Sequence, residues 1–175
     1  MKPLGIPKEV YLKSVLEQIP RLLSLVDKDP SSSTYGCFDR DYWHYKTADF
    51  PCARKQEAVL TLVLLYTLKH PNNPYYQHSA FLEWIHATID FWCKIQEGNG
   101  SFNEWYPKEH SFVATAFSTA AVSEAFLVLK EKNKDALQHI TKAATWLSQQ
   151  KEQRAQNQVT GAALALYNTF LLTQN

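Results

Sequence analysis

The sequence predicts an all-α protein built as an α-hairpin array, and three observations carry that reading. Apolar residues recur at helical spacing along most of the chain, and no segment alternates apolar and polar residues as a half-buried strand would. The helical segments are alternately two-faced and apolar nearly all round, the pattern of outer helices interleaved with buried ones. Trp92 and Trp146 lie near the ends of successive two-faced segments, and each is followed four residues later by glutamine, Gln96 and Gln150. A hairpin repeat of roughly fifty residues fits that spacing.

Taken in order, residues 8–26 read as the first helix, with Val15, Ile19, Leu22 and Val26 on one face. Pro20 has no backbone N–H to donate and is expected to kink this helix or to begin a second one. Residues 27–51 form a long connection, rich in turn-formers at first and then aromatic and charged. Inside a compact domain such a connection is usually functional or an Ω-loop. The helix over 53–69 has a core stretch, 58–68, apolar on nearly every side and therefore expected to be buried on every side. Pro71 and Pro74 end it. Residues 75–95 place Phe81, Ile85, Ile89, Trp92 and Ile95 at helical spacing and read as an outer helix.

A loop over 97–108 leads to a buried-looking helix over 110–130, whose first half is small and apolar. Asn133 is the expected N-cap of a two-faced helix over 135–150, in which Leu137, Ile140, Ala144 and Leu147 oppose Gln138, Lys142 and Gln149. A polar link, 151–158, leads to a last apolar helix over 160–172. The outer-to-inner links are long and ornate, and the returns are short. Antiparallel packing then gathers the ornate loops and the inner-helix N-termini at one end, the expected functional face.

Composition narrows the function. The 175 residues, 45% hydrophobic, suit one domain, and a net charge of +1 gives no bulk electrostatic case for a nucleic-acid or anionic-membrane partner. Aromatic content of 13% favours a stacking surface for flat ligands such as sugars, or an aromatic-rich core. Cys37, Cys52 and Cys93 have neither metal-site spacing nor a CxxC, and read as reduced thiols, with a Cys37–Cys52 bridge as the alternative. The first residues lack the apolar run of a signal peptide, and 58–68 is too short to span a bilayer. The expectation is a soluble, cytoplasmic chain with no membrane span.

Residues 96–123 concentrate the candidate chemistry. A Gly-flanked turn leads into a cluster of Asn103, Trp105, Tyr106, Glu109 and His110, and Glu109, His110 and Ser111 are placed in the first turn of the following helix, where the dipole favours anions. No GxSxG elbow, phosphate loop or dinucleotide motif is present, and the histidines are scattered without HxxxH or HExxH, so no cofactor or metal is expected.

Two resemblances follow. Gln96-x-x-x-Gly100-x-Phe102, after Phe91 and Trp92, resembles the turn motif of terpenoid-cyclase-like toroids. A broader similarity, carried by Tyr35–Ala58 as YGCFDRDYWHYKTADFPCARKQEA, by Gly100–Ser118 as GSFNEWYPKEHSFVATAFS and by Asn157–Tyr167 as NQVTGAALALY, is to the helical domain of heparinase II/III-like polysaccharide lyases and their relatives from bacterial polysaccharide clusters. It implies an α/α toroid, here incomplete. Three outer/inner pairs make about half a ring, and a missing C-terminal region or a second copy in a homodimer is expected to cover the open edge.

The resemblance implies binding or β-elimination of an acidic polysaccharide or oligosaccharide. A base takes the proton beside the carboxylate, a neutralising group holds the enolate, and an acid protonates the leaving oxygen. By residue type Tyr106 and His110 are candidates for base and acid. Asn103, Arg54 and Arg40 are candidate neutralisers, and Tyr42, Trp43, Tyr45, Trp105 and Glu109 candidate binding residues.

Blander roles stand beside these. His110 is equally a cap or a packed histidine, Glu109 a complement to the helix dipole, and Arg54 a partner of Glu57 or Asp49. Asp39, Arg40 and Asp41 read as a local salt-bridge network, and one or two of the aromatics as plugs beneath the loops. Two further functions compete: a non-catalytic helical interaction module, and a terpenoid-cyclase-like toroid with an apolar cavity, for which no Asp-rich motif is present.

Overall fold

The structure, a computed structural model, describes residues 8–152 and 155–174. Among them the protein is all-α: α1 (Lys8–Leu23), α2 (Arg40–Trp43), α3 (Ala58–Thr67), α4 (Ser79–Lys94), α5 (Phe112–Leu129), α6 (Lys134–Ser148) and α7 (Gln156–Thr173). A 3-10 turn, Ala53–Glu57, leads into α3, and the sole extended pairing among the described residues is one bridge between Phe102 and Ser111. Part of the expected 151–158 link lies outside the described residues.

Helix α5 is the centre of the packing, lying against α3 on one side and α7 on another, while α6 packs on α5 and α7 and α4 packs on α3 and α6. Its sequence explains the position. Ala114, Ala116, Ala120, Ala121 and Ala125, together with Thr115, Ser118, Thr119 and Ser123, are buried, and such small side chains let neighbouring helices approach on several faces. By length and composition α5, 18 residues of mean hydropathy 1.7, could cross a membrane. Here it is the central helix of the core.

Several expectations are corrected. Pro20 does not begin a new helix, because α1 runs on through it to Leu23. It lies exposed inside the last turn, where its missing N–H costs a single bond, and its carbonyl still accepts from Ser24 N at 3.1 Å. On the expected face Ile19 and Val26 are buried and Leu22 packs on the core beside Leu16 and Leu23, but Val15 is exposed. Helix α3 is buried at Val59, Leu62, Val63 and Leu65 but not all round, because Leu64 is 51% exposed. Its C-terminal carbonyls are capped from outside: Asn73 Nδ2 donates to Leu65 O and Leu68 O at 2.7 and 2.8 Å.

Helix α5 begins after His110. Lys108 and His110 both have positive φ, 60° and 52°, which ends any helical run there, and Ser111 is the N-cap, accepting from Ala114 N at 3.2 Å. Glu109 and His110 therefore precede the helix instead of forming its first turn. Asn133 caps α6 as expected, its Oδ1 accepting from Asp135 N and Ala136 N.

The long 27–51 connection is folded down on the helices by its own glycine. Gly36 has φ +86°, and a Cβ there would stand 2.1 Å from Ala87 O on α4, so the chain passes directly against that helix. The buried Gln56 amide completes the join, its nitrogen donating to Gly36 O at 3.2 Å and its oxygen accepting from Phe38 N at 3.1 Å.

Candidate functional site

The loop between α4 and α5 divides into two halves with different roles. From Gln96 to Phe102 it is a latch. Gln96 Nε2 donates to Gly100 O (3.1 Å) and to His139 O on α6 (2.9 Å), while its Oε1 lies 2.8 Å from His139 Nδ1. Gly100, at φ +98°, passes so close to α6 that a Cβ would meet Lys142 O at 2.5 Å. Phe102 is fully buried and stacked on Trp92 at 4.6 Å, and Trp92 Nε1 donates to Ser118 Oγ on α5 at 3.0 Å. The turn motif is a packing device that locks α4, α5 and α6 together.

From Asn103 to His110 the same loop turns outward. Glu109 Oε2 accepts the backbone N–H groups of Glu104 (2.9 Å) and Trp105 (2.8 Å), which fixes the tip from inside. Asn103 Oδ1 accepts from His110 N at 3.1 Å, and its Nδ2 donates to Glu97 Oε1 at 2.6 Å. On this braced tip Trp105 is 72% exposed and Tyr106 70% exposed. His110, also exposed, has Nδ1 2.7 Å from Ser101 Oγ and 3.2 Å from Asn99 Nδ2.

Below the tip, a pocket of about 520 Å³ is lined by Asp39, Asp41, Asp49, Cys52, Arg54, Lys55, Glu104 and Trp105, with residues 47, 48 and 50. Arg54 holds its floor together. Its Nε donates to Glu57 Oε1 at 2.7 Å, its Nη1 lies 3.6 Å from Glu104 Oε1, and its guanidinium stacks 4.9 Å over Phe117. The Glu57 hydrogen bond above all holds the guanidinium protonated, raising its pKa against the opposing effect of burial. Glu104, whose side chain is only 9% exposed, has its carboxyl pushed above the ordinary range by burial, with Arg54 pulling the other way. Asp39 is buried, and its Oδ2 accepts from Cys52 N at 2.8 Å.

The sequence-derived residues thus fall into four groups. Arg54 and Trp105 share the acidic pocket. Asn103 and Tyr42 line a neighbouring one of about 310 Å³, and Phe50 lines both. Arg40, Trp43 and Tyr45 anchor α2 instead. Arg40 Nη1 donates to Ser24 O at 2.6 Å and its guanidinium stands 5.1 Å over the Tyr45 ring, while Trp43 Nε1 donates to Leu25 O at 2.8 Å. Trp43 is only half-buried, so it is not the core plug expected of one or two of these aromatics, and Arg40 makes no ion pair with Asp39 or Asp41. Tyr106, Glu109 and His110 line neither pocket.

Glu104 was not assigned a role from the sequence. The signal was Arg54, whose charge at the mouth of a buried helix needs more than one partner. No metal-type cluster of His, Cys, Asp and Glu occurs among the described residues, and all three thiols are free. Comparisons with protein-family models, with curated proteins and with solved structures find nothing that matches this chain.

Proposed function

We propose that the protein is carbohydrate-active and binds an oligosaccharide at the Trp105 rim of the Asp39–Arg54–Glu104 pocket. One observation carries this reading. A large indole stands 72% exposed on a loop tip whose backbone is clamped by Glu109, beside a pocket lined with hydrogen-bonding side chains. Ordering an exposed aromatic has no stability rationale. A flat apolar face beside polar acceptors suits a pyranose ring, which offers C–H groups on one face and hydroxyls at its edge.

Binding is better supported than cleavage. For β-elimination of an acidic polysaccharide, Arg54 and Asn103 would have to neutralise a uronate. Both are already engaged, Arg54 by Glu57 and Glu104, and Asn103 by Glu97 and the His110 N–H. An acidic chain would have to turn its carboxylates toward Lys55 and away from Asp39, Asp41, Asp49 and Glu104. His110 and Tyr106 remain the acid–base candidates of the lyase version.

Calorimetric titration with a panel of neutral and acidic oligosaccharides tests the reading, with ultraviolet absorbance of unsaturated uronate ends followed in parallel. At least one member should bind, and Trp105→Ala should weaken it at least about tenfold with the melting temperature unchanged. Absence of binding across the panel, or full affinity in the variant, rejects the proposal. New absorbance that disappears in His110→Ala extends it to a lyase.

A further inference from the structure

The pocket beneath Trp105 carries more negative charge than its own cations answer. Of its carboxylates only Glu104 is ion-paired, to Arg54, which is also held by Glu57. Asp39, Asp41 and Asp49 make no ion pair with any described lysine or arginine. Lys55, the other cation in the lining, is exposed and pairs with none of them.

Asp39 makes the imbalance specific. It is the most buried of these carboxylates, at 3% exposure. Its Oδ2 is taken by the Cys52 N–H at 2.8 Å, while its buried Oδ1 has no hydrogen-bond partner. Arg40, the next residue, is engaged elsewhere, donating to Ser24 O and covering the Tyr45 ring. A carboxylate only accepts, so what the site lacks is a donor, and folded proteins rarely leave such an oxygen unsatisfied. A metal ion is a poor answer, because no three ligating side chains come together among the described residues. An ammonium is a better one. It carries three donors on a carbon frame, so it can bond one buried oxygen while the other carboxylates act through charge alone. The exposed Trp105 indole in the same lining adds a face that attracts cations.

We infer that the pocket receives a protonated primary amine at Asp39, and that the sugar bound at the Trp105 rim is an amino sugar with its nitrogen free. The sugar part rests on the carbohydrate reading above, whereas the amine part rests on the Asp39 surroundings. The pocket, about 520 Å³, has room for a sugar residue. An N-acetylated nitrogen in the same place would bring a single N–H and no charge.

Calorimetric titration at about pH 6, below the ordinary range of an amine, tests this with a β-linked glucosamine tetrasaccharide, its fully N-acetylated counterpart and cadaverine, an amine without a sugar ring. The glucosamine form should bind at least about tenfold more tightly than the N-acetylated form. Asp39→Asn keeps an acceptor for the Cys52 N–H but removes the charge, and should abolish that preference with the helical circular-dichroism spectrum retained. If this variant does not fold, Asp41→Asn combined with Asp49→Asn, at two exposed positions, should reduce the preference instead. Equal or tighter binding of the N-acetylated form, or a preference that persists undiminished in the folded variant, overturns the inference and leaves the carbohydrate reading standing. Binding of cadaverine but of neither sugar, lost in the same variant, keeps the ammonium site and overturns the carbohydrate reading. Silence from all three compounds overturns the inference entirely.

Discussion

The two halves of the α4–α5 loop both mix polar and aromatic residues, yet they do opposite things. In 96–102 every distinctive side chain is turned inward: Gln96 reaches α6, Phe102 stacks on Trp92, and Gly100 presses against the Lys142 carbonyl. In 103–110 the braces, Glu109 and Asn103, hold backbone N–H groups, and the large rings stay in solvent. Residue type does not separate the halves. What separates them is whether a neighbouring element stands within reach. The first half faces α6, and the second has no element over it.

That contrast can be broken by substitution, and the largest effects should come from the latch. Phe102→Ala should cost about 3–5 kcal/mol in urea unfolding, because it empties a fully buried ring site beside Trp92. Gly100→Ala should cost about 2–4 kcal/mol, combining left-handed strain with a 2.5 Å clash that the α6 backbone cannot relieve locally. Gln96→Ala should cost about 1–3 kcal/mol by stranding the His139 and Gly100 carbonyls. Should Phe102→Ala prove no more damaging than Trp105→Ala, the division of the loop would be wrong.

The outward half should respond in function rather than stability. Trp105→Ala should move the unfolding free energy by less than about 0.5 kcal/mol, the usual range for an exposed site. The subtlest effect should be a pH slope. Burial holds the Glu104 carboxyl above its ordinary value of 4.5, so the folded protein binds that proton more tightly than the unfolded chain does. This contribution is fully present below pH 4.5 and is lost as pH rises through the raised value. Unfolding of Glu104→Gln across the acid range should lack that decline, and identical slopes in the two proteins would place the carboxyl in water.

The helices were legible because periodicity reports burial directly, and the all-α class, the Asn133 cap and the Arg54–Glu57 pair follow from local sequence. The long-range partners were not. Nothing near Leu64 in the chain announces that one face of α3 is left open, since that depends on which helices surround it. Nor does the sequence around Trp43 reveal that its N–H is taken up by Leu25 O, 18 residues earlier. Trp43 and Trp105 sit in similar aromatic and charged surroundings, yet one is half-buried with its N–H bonded and the other stands in solvent.

The three thiols form a graded chemical probe of this architecture. Burial pushes Cys37 and Cys93 up to about 12, so almost no thiolate is available at neutral pH, and both lie inside the core. Cys52 is also shifted upward by burial, but it is only half-buried and lines the pocket beneath Trp105. An alkylating reagent applied to the native protein should therefore mark Cys52 first and the other two only on unfolding. A ligand lying in the pocket should slow that first labelling, so the chain carries its own footprinting residue at the place where occupancy matters.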